Sequence, residues 1–182
     1  MGCYAACMGK FWLVVLFCLA ALLIVLVGAP LLLPEALDLE ASIRVGAPPE
    51  RVAAWLEKPA AWKEWNSFAR ATDASAFATN GPESGTGAEL TWTRGDHAET
   101  LRITKVEPAA RVQYEILRAG EAMSGGQFLL TQEGDQTQVV WRHRGVFDRN
   151  FFQPVVLFLV HDRVQRSLNE GLAELRTRAE AQ

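Results

Sequence analysis

Arg111-Val112-Gln113-Tyr114-Glu115-Ile116 sets an apolar or aromatic side chain at every second position and a polar or charged one between. Successive side chains of a strand point to opposite faces. The stretch therefore predicts a half-buried β-strand with Val112, Tyr114 and Ile116 facing a core. The same period of two extends both ways. Leu90 with Trp92 and Leu101 with Ile103 precede it, and Phe128 with Leu130 and Val139 with Trp141 follow. Turn formers punctuate the series at Arg94-Gly95-Asp96, Pro108-Ala109-Ala110, Ala119-Gly120 and Glu133-Gly134-Asp135. About five strands in succession predict an antiparallel meander with one apolar and one wet face.

Upstream, Leu39 to Val45 alternates as a first strand and stops at Ala47-Pro48-Pro49, prolines suited to a helix start. Val52, Ala53 and Leu56 follow at helical spacing, Lys58-Pro59 ends that helix, and Ala60 to Trp65 makes a second short one. A loop-rich region then runs to Gly81-Pro82-Glu83-Ser84-Gly85-Thr86-Gly87. Downstream, the period becomes helical from Pro154. Leu157, Val160, Val164, Leu168, Gly171, Leu172 and Leu175 share one sector, while Arg163, Arg166, Asn169, Glu170 and Glu174 lie outside it. The predicted class is α+β: an antiparallel sheet wrapped around a long C-terminal helix.

Ahead of this lies a stretch of different composition. Phe11 to Leu33 contains no charged side chain, and Lys10 is the one charged side chain before Glu35. About 23 residues at ~1.5 Å rise would span ~34 Å, enough for the hydrocarbon layer of a bilayer. The expected organisation is a stub at 1–10, a transmembrane helix at 11–33, a linker at 34–38 and the globular domain at 39–182. A cleaved secretory signal competes, because Val27-Gly28-Ala29 has the small-residue spacing of a cleavage site. Pro30 directly after the cut and the continuing Leu31-Leu32-Leu33 favour a retained anchor. Lys10 precedes the span and no Lys or Arg follows it before Arg44. The positive-inside rule then leaves the N-terminus cytoplasmic and the domain outside the cell membrane.

Cys3, Cys7 and Cys18 all lie in or before the span, so the domain has no thiol for disulfides, metal ligation or nucleophilic catalysis. Three scattered histidines without a His-x-x-x-His pair argue against a metal site. The glycine-rich loop precedes a strand and lacks the lysine of a phosphate cradle, so no cofactor is implied. With a net charge of −3 and no basic run, the chain does not suit nucleic acid as a partner.

Several pieces in order carry a resemblance: Ser42-Ile43-Arg44-Val45, Ala47-Pro48-Pro49-Glu50-Arg51-Val52, Trp62-Lys63-Glu64-Trp65-Asn66, Gly81-Pro82-Glu83-Ser84-Gly85, Ile103-Thr104-Lys105-Val106-Glu107-Pro108, and the helix from Leu168 to Leu175. Over about Leu39 to Ala179 the chain resembles the helix-grip superfamily of START, polyketide cyclase and birch-pollen-allergen-like domains (SRPBCC). The resemblance implies a cavity between sheet and long helix that accepts a hydrophobic small molecule such as a lipid, quinone or polyketide. It implies no particular reaction.

Within such a cavity Trp62, Trp65, Trp92, Tyr114 and Trp141 would supply large walls. Val164 and Leu168 would line the helix side, and Gly171 would remove a side chain from it. His143 continues the alternation of Val139 and Trp141, and Arg94 that of Leu90 and Trp92, so both are expected to point inward and orient a ligand. For each of these residues an ordinary core role competes. His161 sits at the edge of the helix's inner sector, and His97 falls in a turn.

Three functions stay open: binding of an apolar ligand at the membrane, a cyclase or dehydratase-type enzyme using His143 and Arg94, and an interaction module with a packed core. Binding is the leading expectation, with no catalytic residue assigned. Val155, Phe158 and Leu159 lie opposite the helix's core sector. Either the loop around Trp62 to Phe77 or a partner covers them, or they dip into the membrane interface and open a path to the cavity.

Overall fold

The computed structural model describes residues 15–21, 23–24, 28, 36–66, 76–145 and 153–181, the side chains of Arg94 and of 153–155 excepted. The chain divides into two compact units, Met1–Glu35 with Arg149–Leu159 and Ala36–Asp148 with Val160–Gln182. Its elements are β1 (Leu37–Val45), α1 (Pro49–Leu56), a 3₁₀ turn (Pro59–Ala61), α2 (Trp62–Trp65), β2 (Ala78–Asn80), β3 (Glu89–Arg94), β4 (His97–Glu107), β5 (Arg111–Arg118), β6 (Glu121–Glu133), β7 (Gln136–Gly145) and α3 (Gln153–Glu180). The strands form one seven-stranded antiparallel sheet in the order β1-β7-β6-β5-β4-β3-β2. The expected α+β architecture of sheet plus long C-terminal helix is observed.

Alternation decides which face is inner. Pairing aligns Ala41, Trp141, Phe128 and Val112 in one row, and Leu39, His143, Gly126, Tyr114 and Ile103 in the next. All of these except Gly126 are at most 9% exposed. A register shift between Ile116 and Leu117 breaks the pairing of β5 with β6. The extra residue is Met123 on β6, and β5 keeps its alternation against β4, where Ile116 still pairs with the buried Leu101. Ile116 is half-buried, and Leu117 is 9% exposed. His97, expected in a turn, begins β4 and is exposed.

Pro49 opens α1, whose Val52, Ala53 and Leu56 are buried as the spacing predicts. Trp62 Nε1 donates to the Leu56 carbonyl at 2.9 Å, satisfying an acceptor at the helix end. On α3, Leu168, Gly171, Leu172, Leu175 and Ala179 form the buried stripe. Gln165 donates to the Glu40 carbonyl (3.0 Å), and Gly46 N–H donates to Glu180 (2.7 Å). Those two bonds run this part of α3 alongside β1 in the same direction. Arg178 adds an ion pair to Glu64 of α2 at 3.2 Å.

The expected span at 11–33 lies largely outside the described residues. Its described positions are helical, with Leu16, Phe17, Leu19, Leu23 and Ile24 exposed. Among the described residues no helix is long and apolar enough to cross a membrane. β1 already begins at Leu37, so Leu37 and Asp38 belong to the sheet and not to a linker.

Thr137 is fully buried and donates to the Ala47 carbonyl at 2.6 Å, tying β7 to the turn between β1 and α1. Thr137→Val keeps the shape and orphans that carbonyl. Urea unfolding should show a loss of about 1–3 kcal/mol, and an unchanged midpoint would mean the bond adds nothing to the corner.

Candidate functional site

Tyr114 stands at the centre of the inner face because its neighbour across the pair is a glycine. A Cβ on Gly126 would collide with the Arg142 carbonyl oxygen and stand 2.9 Å from Tyr114 Oη. With that space clear, the Tyr114 ring crosses β6 and reaches β7. Its hydroxyl accepts from Trp141 Nε1 at 2.9 Å and lies 2.8 Å from His143 Nδ1. The hydroxyl has one proton and two acceptor lone pairs, so it accepts from the indole and makes a second hydrogen bond with Nδ1, whose donor depends on the His143 tautomer. Burial pushes the His143 pKa down to about 4. Burial also raises the Tyr114 phenol, with the Trp141 bond partly opposing it.

Around this trio the aromatic rings meet one another. Trp62 lies 4.9 Å from Tyr114 and 5.0 Å from Trp65, Phe128 lies 4.9 Å from Trp141, and Trp65 lies 5.8 Å from Trp141. Trp62 and Trp65 come from α2, Tyr114 from β5, Phe128 from β6 and Trp141 from β7, so the cluster joins the helical connection to the sheet. Phe128, expected as plain core, is a full member of it. Trp65 Nε1 is buried with no hydrogen-bond partner among the described residues. Such a donor costs about 1–3 kcal/mol.

The expected site residues thus fall into groups. Trp62, Trp65, Tyr114, Trp141 and His143 come together. Val164 (half-buried), Leu168 and Gly171 (both buried) lie on α3. Trp92 lies two strands over from Tyr114. Arg94 ends β3 opposite His97, and its side chain is not among those described. His161 is on the surface beside Asp162 (3.1 Å), which corrects its expected place at the inner edge.

Glu99 is the inner residue that the sequence reading missed. It is 2% exposed, accepting from Trp92 Nε1 at 3.0 Å and from Arg118 Nη2 at 2.5 Å. Counting back by twos from Ile103 through Leu101 would have placed it inside. On the outer face a groove of about 630 Å³ lies over Gly125 and Gly126, rimmed by Glu40, Gln113, Gln127 and Arg142. Its charged groups are paired, Arg142 with Glu40 at 2.7 Å and Arg144 with Asp38 at 3.6 Å. Among the described residues no group of His, Cys, Asp and Glu could hold a metal ion.

A sheet closed over a long C-terminal helix, with polar groups set in an aromatic interior, defines an α+β domain of helix-grip type. Residues 36–180 match the family described as polyketide cyclase/dehydrase and lipid transport, and the chain belongs to that family. Among solved structures it is similar to protein CV1439 from Chromobacterium violaceum, at 15% identity and TM-score 0.56 over 79% of this chain and 97% of that one. Protein BH1534 of Bacillus halodurans is similar at 18% identity and TM-score 0.56, over 77% and 94%. The Aha1 dimer of Colwellia psychrerythraea is similar at 16% identity and TM-score 0.53, over 79% and 96%. At these identities the likeness is one of fold. No protein with a curated description matches the chain.

Two outcomes test the trio. Tyr114→Phe removes the hydroxyl that Trp141 Nε1 and His143 Nδ1 share, so stability in urea should fall by about 1–3 kcal/mol. A His143 pKa near 4, below the unfolded value of about 6.5, means that the unfolded chain binds the proton first as pH falls. The stability tied to neutral His143 is full above about pH 6.5 and is lost down to about pH 4, by about 3 kcal/mol. Unfolding of the wild type and of His143→Gln across that range should show the difference, and parallel curves would place the imidazole in water.

Proposed function

We propose that the chain is a membrane-tethered protein that binds an apolar small molecule, such as a lipid, quinone or polyketide-like compound, between the inner sheet face and α3. The family it belongs to is described by cyclase, dehydrase and lipid-transport activities. The uncharged run at 11–33 supports the tether, and the lysine pattern supports a domain on the outer side.

The observation that carries the reading is the orphaned Trp65 indole N–H. It sits in an aromatic cluster beside the buried Tyr114, Trp141 and His143 network. A mostly apolar chamber with a few fixed polar groups is the usual make-up of a small-molecule site. A donor with no acceptor among the described residues suits a ligand whose one polar end is a carbonyl or hydroxyl oxygen. Nonbonded rings would hold the rest of such a molecule by burial alone.

A second reading, catalysis, is favoured by the 2.8 Å contact between Tyr114 and His143, a base and an acid in hydrogen-bond reach. It requires turnover that His143→Gln abolishes while binding persists.

Native mass spectrometry of the detergent-extracted full chain should show a co-purified apolar molecule. Trp65→Phe removes the donor and keeps a ring, so the adduct should weaken several-fold while the far-ultraviolet circular dichroism stays the same. No adduct on the wild type, or an equal adduct on Trp65→Phe, would count against this site.

A further inference from the structure

The start of α3 carries a surface that ligand binding does not use. From Pro154 to Val160 no side chain is charged or able to hydrogen-bond, and His161, Asp162 and Arg163 follow at once. Leu157 in this run is 2% exposed, but Val156, Phe158 and Leu159 are 51%, 69% and 72% exposed. The loop from Trp62 to Phe77, expected as one possible cover, lies largely outside the described residues. Past the run the helix turns polar outward, with His161, Asp162 and Arg163 all exposed.

This stretch shares its compact unit with Met1–Glu35. The described apolar residues there, Leu16, Phe17, Leu19, Leu23 and Ile24, are 60–76% exposed. Two uncharged segments of one unit thus each expose large apolar side chains. Exposed apolar surface beyond scattered single residues marks an interaction site.

We propose that Val156, Phe158 and Leu159 lie in the interface of the bilayer that the 11–33 run enters, giving the chain a second membrane contact at the start of α3. This rests on the anchor reading above. The occupant is lipid because the segment that shares the unit is a charge-free run of bilayer length. A helix at the interface buries its apolar face about 5–10 Å into the headgroup boundary, and Val156, Phe158 and Leu159 supply such side chains. His161, Asp162 and Arg163 then fall at the headgroups, where charge of either sign stays solvated.

The full chain with Cys3→Ser, Cys7→Ser and Cys18→Ser provides the test. Single nitroxide labels go on Leu19→Cys, Phe158→Cys, Leu159→Cys or Arg163→Cys, in vesicles of phosphatidylcholine and phosphatidylglycerol. Power saturation then compares oxygen, which concentrates in lipid, with a water-soluble nickel chelate. The labels at 19, 158 and 159 should respond to oxygen several-fold more than to nickel, and the label at 163 should reverse that order. Labels at 158 and 159 that behave like 163, with 19 still protected, would overturn this second contact and leave the anchor standing. A nickel-accessible label at 19 would overturn the anchor and this inference with it. Labels at 158 and 159 closed to both reagents would identify a protein cover, a second copy or a partner, and overturn the lipid assignment.

Discussion

The hydroxyl of Tyr114 joins β5 to β7 across β6 through two hydrogen bonds, and the arrangement of the inner face follows from it. Trp141 Nε1 donates to it and His143 Nδ1 lies 2.8 Å from it, so two inward side chains of β7 meet at one oxygen. Neither bond could form if β6 carried a side chain at Gly126. In a low-dielectric interior each bond is strong, and each polar atom left alone would be costly. The trio therefore ties β5 and β7 in one register across Gly126 of β6. On top of it lie Trp62 and Trp65, which bring the helical connection onto the sheet.

Much of the fold was legible because one period dominates it. Val112 and Tyr114, Leu101 and Ile103, and Phe128 and Leu130 alternate without ambiguity, and prolines bracket α1. The stripe from Leu168 to Leu175 declares the long helix. Less legible were the places where the period slips. Nothing in Ala122-Met123-Ser124 announces the extra residue on β6. The three-residue β2 is too short for alternation to register, and the pairing of β1 with β7 joins segments about a hundred residues apart.

For the candidate site, His143 was placed inside by the simple rule of alternation. That rule also marks Glu99, yet a carboxylate reads as surface until Trp92 and Arg118 are seen to satisfy it. The grouping of the tryptophans was not legible either. Trp62 and Trp65 are near in sequence, but their contact with Tyr114 and Trp141 depends on how α2 folds back over the sheet. Trp92 has the same alternation as Tyr114 and still ends in a different polar group. Family membership and fold set the class of the molecule, whereas its ligand chemistry has to come from these side chains.

The account's central claim is that an apolar ligand occupies the inner face, between the sheet and α3, and not the outer groove over Gly125. Photocrosslinking answers this directly. The full chain in vesicles doped with a diazirine-bearing fatty acid would be irradiated, digested and mapped by mass spectrometry. Binding at the inner face predicts labels on Trp65, Tyr114 and the α3 stretch from Val164 to Leu172, whereas His143 lines the outer groove as well. Labels confined to Gln113, Gln127 and Arg142 on the outer face would contradict it.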